Sequence, residues 1–221
     1  MIREDIINSV MKEKLVVIVR GVCGDDLMRL SEAMHNGGIR LLEYTYSANG
    51  AVKDEETAQN IKRLAAHFAG DMHIGAGTVI TAEQVNLTKA AGGEFIISPD
   101  TFSDVIRKTV DLGLVSMPGA LSPSEIQAAH RLGADFVKVF PAVNLGPEYI
   151  KAIKAPLSHI KLLAVGGVNL DNMNEYLKAG VCGFGIGANI VDKKLIENGD
   201  FKGITELAKR YVAAVNGELK L

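Results

Sequence analysis

About eight strand-then-helix units in succession, a glycine near each return from helix to strand, and a lysine set in the middle of an apolar strand predict an α/β fold. The expected architecture is a (β/α)8 TIM barrel with a short N-terminal helix. The chain has 221 residues, a length that α/β barrels take as one unit, so a single barrel domain over 1–221 is expected. No linker, low-complexity tract or block of like charge divides it. A doubly wound sheet fits the spacing less well. Solenoid repeats would share a residue-level consensus, whereas these units share only their punctuation.

Ile6, Ile7, Val10 and Met11 recur at helical spacing, so a short helix over 2–12 precedes the first strand. Residues 14–21 are nearly continuous β-branched sequence and read as that strand. Asp25 opens a helical pattern (Leu27, Leu30, Ala33, Met34) that stops at Asn36-Gly37-Gly38, a glycine stop signal. The second strand covers 39–45, and a polar loop over 47–50 separates it from a helix over 54–68. Strand 73–76 with helix 82–91, and strand 94–98 with helix 103–112, repeat the unit. Strand 114–117 leads to a helix opened by Ser122-Pro123-Ser124-Glu125, where serine caps and proline suits the first turn. The sixth strand is 135–141. Helix 146–154, strand 160–165, helix 170–179, strand 181–186 and a last helix over 204–215 follow.

Composition removes several classes of function. With 48% hydrophobic and 23% charged residues and a net charge of -2, nothing favours a nucleic-acid partner. No apolar run approaches a membrane span, and the opening Met1-Ile2-Arg3-Glu4-Asp5 is unlike a targeting peptide, so a cytoplasmic protein is expected. Cys23 and Cys182 are too few and too far apart for a disulfide framework or a zinc site and are read as free thiols. The five histidines show no i, i+4 pair and no nearby cysteine, so no metal is expected. Neither GxSxG nor a P-loop is present.

In a barrel of this kind the chemistry lies at the carboxyl ends of the strands. Those ends carry Arg20, Glu43, Thr78, Pro118, Lys138, Phe140, Gly166-Gly167 and Gly185-Ile186-Gly187. Phe136, Lys138 and Phe140 share one face of their strand by period-two alternation. An ammonium in a strand covered on both faces is costly unless it is paired or its pKa falls, and a lysine whose pKa falls is an amine nucleophile. Lys138 and Glu43 both come from even-numbered strands, which share layers of a barrel interior, so the two can face each other. A neutral amine beside a proton-exchanging carboxylate is the minimum apparatus for Schiff-base chemistry on a ketone. Two plainer readings stand beside it: a buried ion pair that fills the barrel, or a lysine that snorkels to the rim. Gly166-Gly167 and the segment Gly187-Ala188 lie where many barrels hold a phosphate on backbone N–H groups.

Six motifs, in order and spacing, resemble one family: Leu42-Glu43-Tyr44-Thr45, Ile74-Gly75-Ala76-Gly77-Thr78-Val79, Ile97-Ser98-Pro99, Met117-Pro118-Gly119, Phe136-Val137-Lys138-Val139-Phe140-Pro141-Ala142 and Gly166-Gly167-Val168. The family is that of the bacterial 2-keto-3-deoxy-6-phosphogluconate / 4-hydroxy-2-oxoglutarate aldolases. The resemblance implies a metal-independent, cofactor-free class I aldolase that releases pyruvate from a keto acid, on a homotrimeric barrel. It implies Lys138 as the Schiff-base lysine, Glu43 as general acid/base, Thr78 at the pyruvyl carboxylate, Phe140 against the substrate, and the phosphate on Gly166, Gly167, Gly187 and Ala188. Four residues after the glutamate, many members carry an arginine on the substrate carboxylate; Ser47 stands here as a candidate contact, with Arg20 or backbone amides to take the anion. Two hydroxyls near the family's phosphate are replaced by Val165 and Ala188. The alternative is a phosphate-binding barrel of another class, an isomerase or a thiamine-phosphate-synthase-like transferase, with no use for a Schiff-base lysine.

Overall fold

The computed structural model describes residues 3–218. Ile2, the expected first residue of the opening helix, lies outside them. Strands β1 (Leu15–Val19), β2 (Leu41–Thr45), β3 (His73–Gly77), β4 (Phe95–Ile97), β5 (Val115–Met117), β6 (Gly119–Ala120), β7 (Val137–Val139), β8 (Leu162–Val165) and β9 (Gly183–Ile186) form one sheet in the order β5-β4-β3-β2-β1-β9-β8-β7-β6. Every pairing is parallel. The two ends of this order, β5 and β6, are separated in the chain only by Pro118. They are one stave of the barrel, interrupted where proline has no N–H to donate. β5 pairs with β4, β6 pairs with β7, and the bonds Phe136 N to Ser116 O (3.2 Å) and Lys138 N to Pro118 O (2.9 Å) close the ring.

Helices α1 (Arg3–Glu13), α2 (Gly24–Asn36), α3 (Asp54–His67), α4 (Ala82–Ala90), α5 (Ser103–Asp111), α6 (Pro123–Arg131), α7 (Gly146–Lys154), α8 (Met173–Ala179), α9 (Lys193–Glu197) and α10 (Phe201–Val215) complete the fold. The expected capping signal at Ser122 is realised in full: its hydroxyl accepts from Glu125 N, and the Glu125 carboxylate accepts from Ser122 N. A 3-10 turn at Ala142–Asn144 and helix α9 were not expected, being too short to show a period. The last helix starts at Phe201 rather than 204 because Asp200 caps it through Gly203 N (2.8 Å).

Strand alternation separates two apolar regions. On β2, Leu42 and Tyr44 face the helices, whereas Leu41 joins the barrel interior with Val16, Phe95, Ile97, Val115, Met117, Phe136 and Leu163. Ile6, Ile7 and Val10 of α1 belong to that interior cluster, so the first helix plugs the amino-terminal end of the barrel. The ion pair from Arg3 to Asp135 (2.8 Å) ties α1 to the segment that enters β7. On β7, Val137 and Val139 face outward, which leaves Phe136 and Lys138 inward.

Phe136 thus forms the apolar floor beneath Lys138 and is fully buried. Phe136→Ala is expected to lower stability by about 3–5 kcal/mol in urea denaturation, because a closed barrel cannot collapse around the void.

Candidate active site

Lys138 sits on β7 with 7% of its surface exposed, inside the carboxyl-terminal mouth. Among the described residues no ion pair reaches its ammonium. Its Nζ lies 4.7 Å from the centroid of the Phe140 ring, which is itself 39% exposed at the rim. Burial pulls the Lys138 pKa down; Glu43 pushes back, Arg20 adds to the fall, and Asp100 opposes it. The amine is therefore neither contact-paired nor at the water surface, unlike either plainer reading of the sequence.

Glu43 is 2% exposed. Burial raises its pKa to about 7, with Lys138 and then Arg20 restraining the rise. Its Oε2 is buried without a hydrogen-bond partner. β2 pairs Glu43 with Gly75, yet the side chain leans one layer toward the mouth, and a Cβ built on Gly77 would fall on the carboxylate. Gly77 is thus glycine for the space it leaves. A carboxyl raised to about 7 and a lysine drawn below its ordinary range, buried at the same end of the barrel, move toward each other on the pH scale.

Arg20 follows β1 and donates from Nη2 to Thr78 Oγ1 at 2.8 Å. Thr78 holds φ +55, a left-handed conformation that a β-branched residue rarely adopts and that the Gly77–Thr78 turn imposes. Arg20, Gly187 and Ala188 line one cavity of about 680 Å³ together with Ile18, Cys23 and Lys193. The loop after β9 is tied to the loop after β8 by Asn189 Nδ2 donating to Val168 O (2.8 Å). Gly166 and Gly167 there take φ of +91° and +80°, and a Cβ on Gly167 would run into Val143. Pro118 is buried in the stave beside β7.

The fold brings Lys138, Glu43, Arg20, Thr78, Phe140 and Pro118 to the same end of the barrel. Ser47 is not brought among them. Its hydroxyl donates to Asn49 Oδ1 (2.7 Å) and it lines a separate depression with Asp54, Ile80 and Gln84. Sequence reasoning passed over Thr45, whose inward position follows from counting two residues on from Glu43. Cys23 and Cys182 are both free, and among the described residues no group of histidine, cysteine, aspartate and glutamate could hold a metal ion. No helix among them is long and apolar enough to cross a membrane.

The sequence profile of the KDPG and KHG aldolases matches residues 6–207. The 2-dehydro-3-deoxy-6-phosphogalactonate aldolase of Escherichia coli (strain K12) is 33% identical over 180 residues, covering 81% of this chain and 85% of its own. The 2-dehydro-3-deoxy-phosphogluconate aldolase of Haemophilus influenzae is 30% identical over 213 residues, covering 95% of this chain and 96% of its own. Among solved structures, the KDPG aldolase of Legionella pneumophila with pyruvate captured at low pH as a covalent carbinolamine intermediate superposes with a TM-score of 0.82. It is 30% identical and covers 92% of this chain and 96% of its own.

The Glu43 shift has a thermodynamic consequence. Its carboxyl titrates near the ordinary 4.5 when unfolded and at about 7 when folded. Between those values the folded chain holds the extra proton, so stability is lost as pH rises from about 4.5 through about 7. Glu43→Gln, which cannot ionise, is expected to gain up to about 3 kcal/mol relative to the parent between pH 4.5 and pH 8. Urea denaturation at the two pH values measures the gap; equal differences at both would contradict the burial argument.

Proposed function

Because the chain belongs to the KDPG and KHG aldolase family, its reaction is that of a class I aldolase, and we propose that Lys138 carries that reaction while Glu43 moves its protons. The enzyme is a lyase that cleaves a 2-keto-3-deoxy acid to pyruvate and an aldehyde. It needs no metal, since the protonated imine supplies the electrophile. The observation that carries the assignment is the buried Lys138 amine, free of any contact ion pair and drawn below its ordinary pKa, in the same enclosure as a carboxyl at about 7.

The steps follow from these two groups. The neutral Nζ of Lys138 adds to the C2 ketone, and loss of water from the carbinolamine leaves an iminium. Electrons of the C3–C4 bond flow to the iminium nitrogen while the C4 hydroxyl proton passes to Glu43, so the aldehyde departs and an enamine of pyruvate remains. Glu43 returns the proton to C3, and water hydrolyses the imine to free pyruvate and Lys138. Arg20 and Thr78, already hydrogen-bonded to each other, suit the pyruvyl carboxylate. Phe140 and Pro118 wall the reacting carbons. Gly166, Gly167, Gly187 and Ala188 offer backbone donors to a distal phosphate, and the cavity of about 680 Å³ beside Gly187 has room for a phosphorylated chain. In this reading Arg20 takes the anion in place of the arginine that many members carry where Ser47 stands here.

The substrates that fit are 2-keto-3-deoxy-6-phosphogluconate, its galactonate epimer, as the names of the two relatives suggest, and 4-hydroxy-2-oxoglutarate. An isomerase or thiamine-phosphate-synthase-like transferase on the same barrel would leave the Lys138–Glu43 arrangement without a purpose. Exposed Phe102, Leu121, Val143 and Leu145, apolar side chains that follow β4, β6 and β7, offer surface for self-association, and the homotrimer that the family resemblance implies is the proposed assembly. Two free thiols agree with a reducing cytoplasm.

Incubation with pyruvate followed by borohydride is expected to leave a stable adduct on the Lys138 peptide; an unmodified Lys138 at saturating pyruvate would overturn the assignment. Glu43→Gln is expected to lower kcat by about 10²–10⁴-fold. For the distal site, kcat/KM is expected to favour phosphorylated over unphosphorylated keto acids, and equal values would remove phosphate recognition from the glycine loops.

A further inference from the structure

Two buried side-chain polar atoms of the described residues lack a hydrogen-bond partner, and both belong to the same strand: Glu43 Oε2 and Thr45 Oγ1. Thr45 is 7% exposed, at the carboxyl end of β2, two residues beyond Glu43 and on the same inward face as Leu41 and Glu43. β2 and β3 are in register with Thr45 opposite Gly77. The Glu43 carboxylate leans to the position a Gly77 Cβ would take, which brings it to the level of Thr45. The carboxylate reaches that level through Oε1, so the Thr45 hydroxyl and the Glu43 carboxylate, each with a buried oxygen that lacks a partner, lie at one level of the barrel mouth. Leaving such a hydroxyl unsatisfied is unfavourable, and a valine would fill the same space without the penalty.

We propose that Thr45 is the positioning residue for proton transfer: its hydroxyl and the Glu43 carboxylate hold between them a water oxygen through which Glu43 exchanges its proton with the C4 hydroxyl and with C3. The inference rests on Lys138 and Glu43 being the reacting pair. In cleavage, the proton of the C4 hydroxyl passes to Glu43 as the C3–C4 electron pair moves to the iminium nitrogen. In the return step a proton goes from Glu43 through that water to C3 of the enamine. Thr45 gains and loses nothing in either step. It fixes the direction from which the oxygen meets the carboxylate, a contribution that depends on geometry and not on charge.

Pyruvate alone suffices for the test, since its imine loses a C3 proton to Glu43 through the same water and regains a deuteron from heavy water. Three measurements are made on Thr45→Val and Thr45→Ser: borohydride trapping of pyruvate, the rate of methyl-deuteron exchange by NMR, and thermal unfolding. Thr45→Val is expected to keep the Lys138 adduct and a melting temperature at or above the parent's, while exchange slows by about 10- to 100-fold. Thr45→Ser, which keeps the hydroxyl, is expected to recover most of that loss. Exchange at the parent rate in Thr45→Val, or equal loss in both variants, would overturn the role, the second outcome assigning Thr45 to packing. Loss of trapping in Thr45→Val would also overturn it, by moving Thr45 to imine formation. Failure of the parent itself to trap pyruvate would instead remove the reading of Lys138 on which the inference rests.

Discussion

The structure turns on keeping an amine and a carboxylate buried at the same end of the barrel without letting them touch. Lys138 and Glu43 are 7% and 2% exposed. Contact would yield a stable ion pair in which both groups stay charged, and the lysine would then be a poor nucleophile. Separation with burial has the opposite effect: desolvation lowers the lysine and raises the glutamate, and their mutual attraction only moderates each shift. The opposed displacements bring a strong base and a weak acid toward one another on the pH scale. Such an arrangement is costly to the fold, so the rest of the interior is built to hold it open.

That support comes from below and from the sides. Beneath the pair, Phe95, Phe136, Leu163 and their neighbours fill the barrel, and α1 closes its amino-terminal end with Ile6, Ile7 and Val10. Beside it, Gly77 lets the Glu43 carboxylate rise toward the mouth, and the turn that follows drives Thr78 into a left-handed conformation where its hydroxyl meets Arg20. Backbone strain is tolerated there because the flanking β3 strand is paired on both sides. On the far rim, the Gly166–Gly167 turn packs against Val143 and Phe140, so the loops that would hold a distal anion are braced by the segment that leaves the lysine strand.

Much of this was legible in the chain itself. Runs of β-branched residues marked the strands, and period two put Phe136, Lys138 and Phe140 on one face. The interruption at Pro118 was not foreseen as a break, because one missing N–H splits a strand only if the stave bends there to change partners. Helix α9 and the 3-10 turn are shorter than any period can reveal. Within the site, Lys138 and Glu43 were identifiable as charges in apolar strands. Thr45 was obscured because a threonine at a strand end carries no signal until its hydroxyl is seen to be buried without a partner. The placement of Ser47 away from the other site residues was not legible, because its direction depends on the Asn49 side chain and the turn of its own loop, which no alternation governs. Arg20 was legible as a strand-end charge, but its bond to Thr78 required knowing how the first and third staves meet across the mouth.

The central claim, that burial and not pairing sets the chemistry of Lys138, is most directly tested by titrating that amine. Isotope-edited NMR of lysine side chains, with the Lys138 signal identified by its absence from Lys138→Met, would follow the ammonium against pH. The account predicts a midpoint below the ordinary 10.5, and a still lower one in Glu43→Gln, where the carboxylate that supports the charge is gone. A midpoint at or above the ordinary value, unchanged by Glu43→Gln, would contradict it.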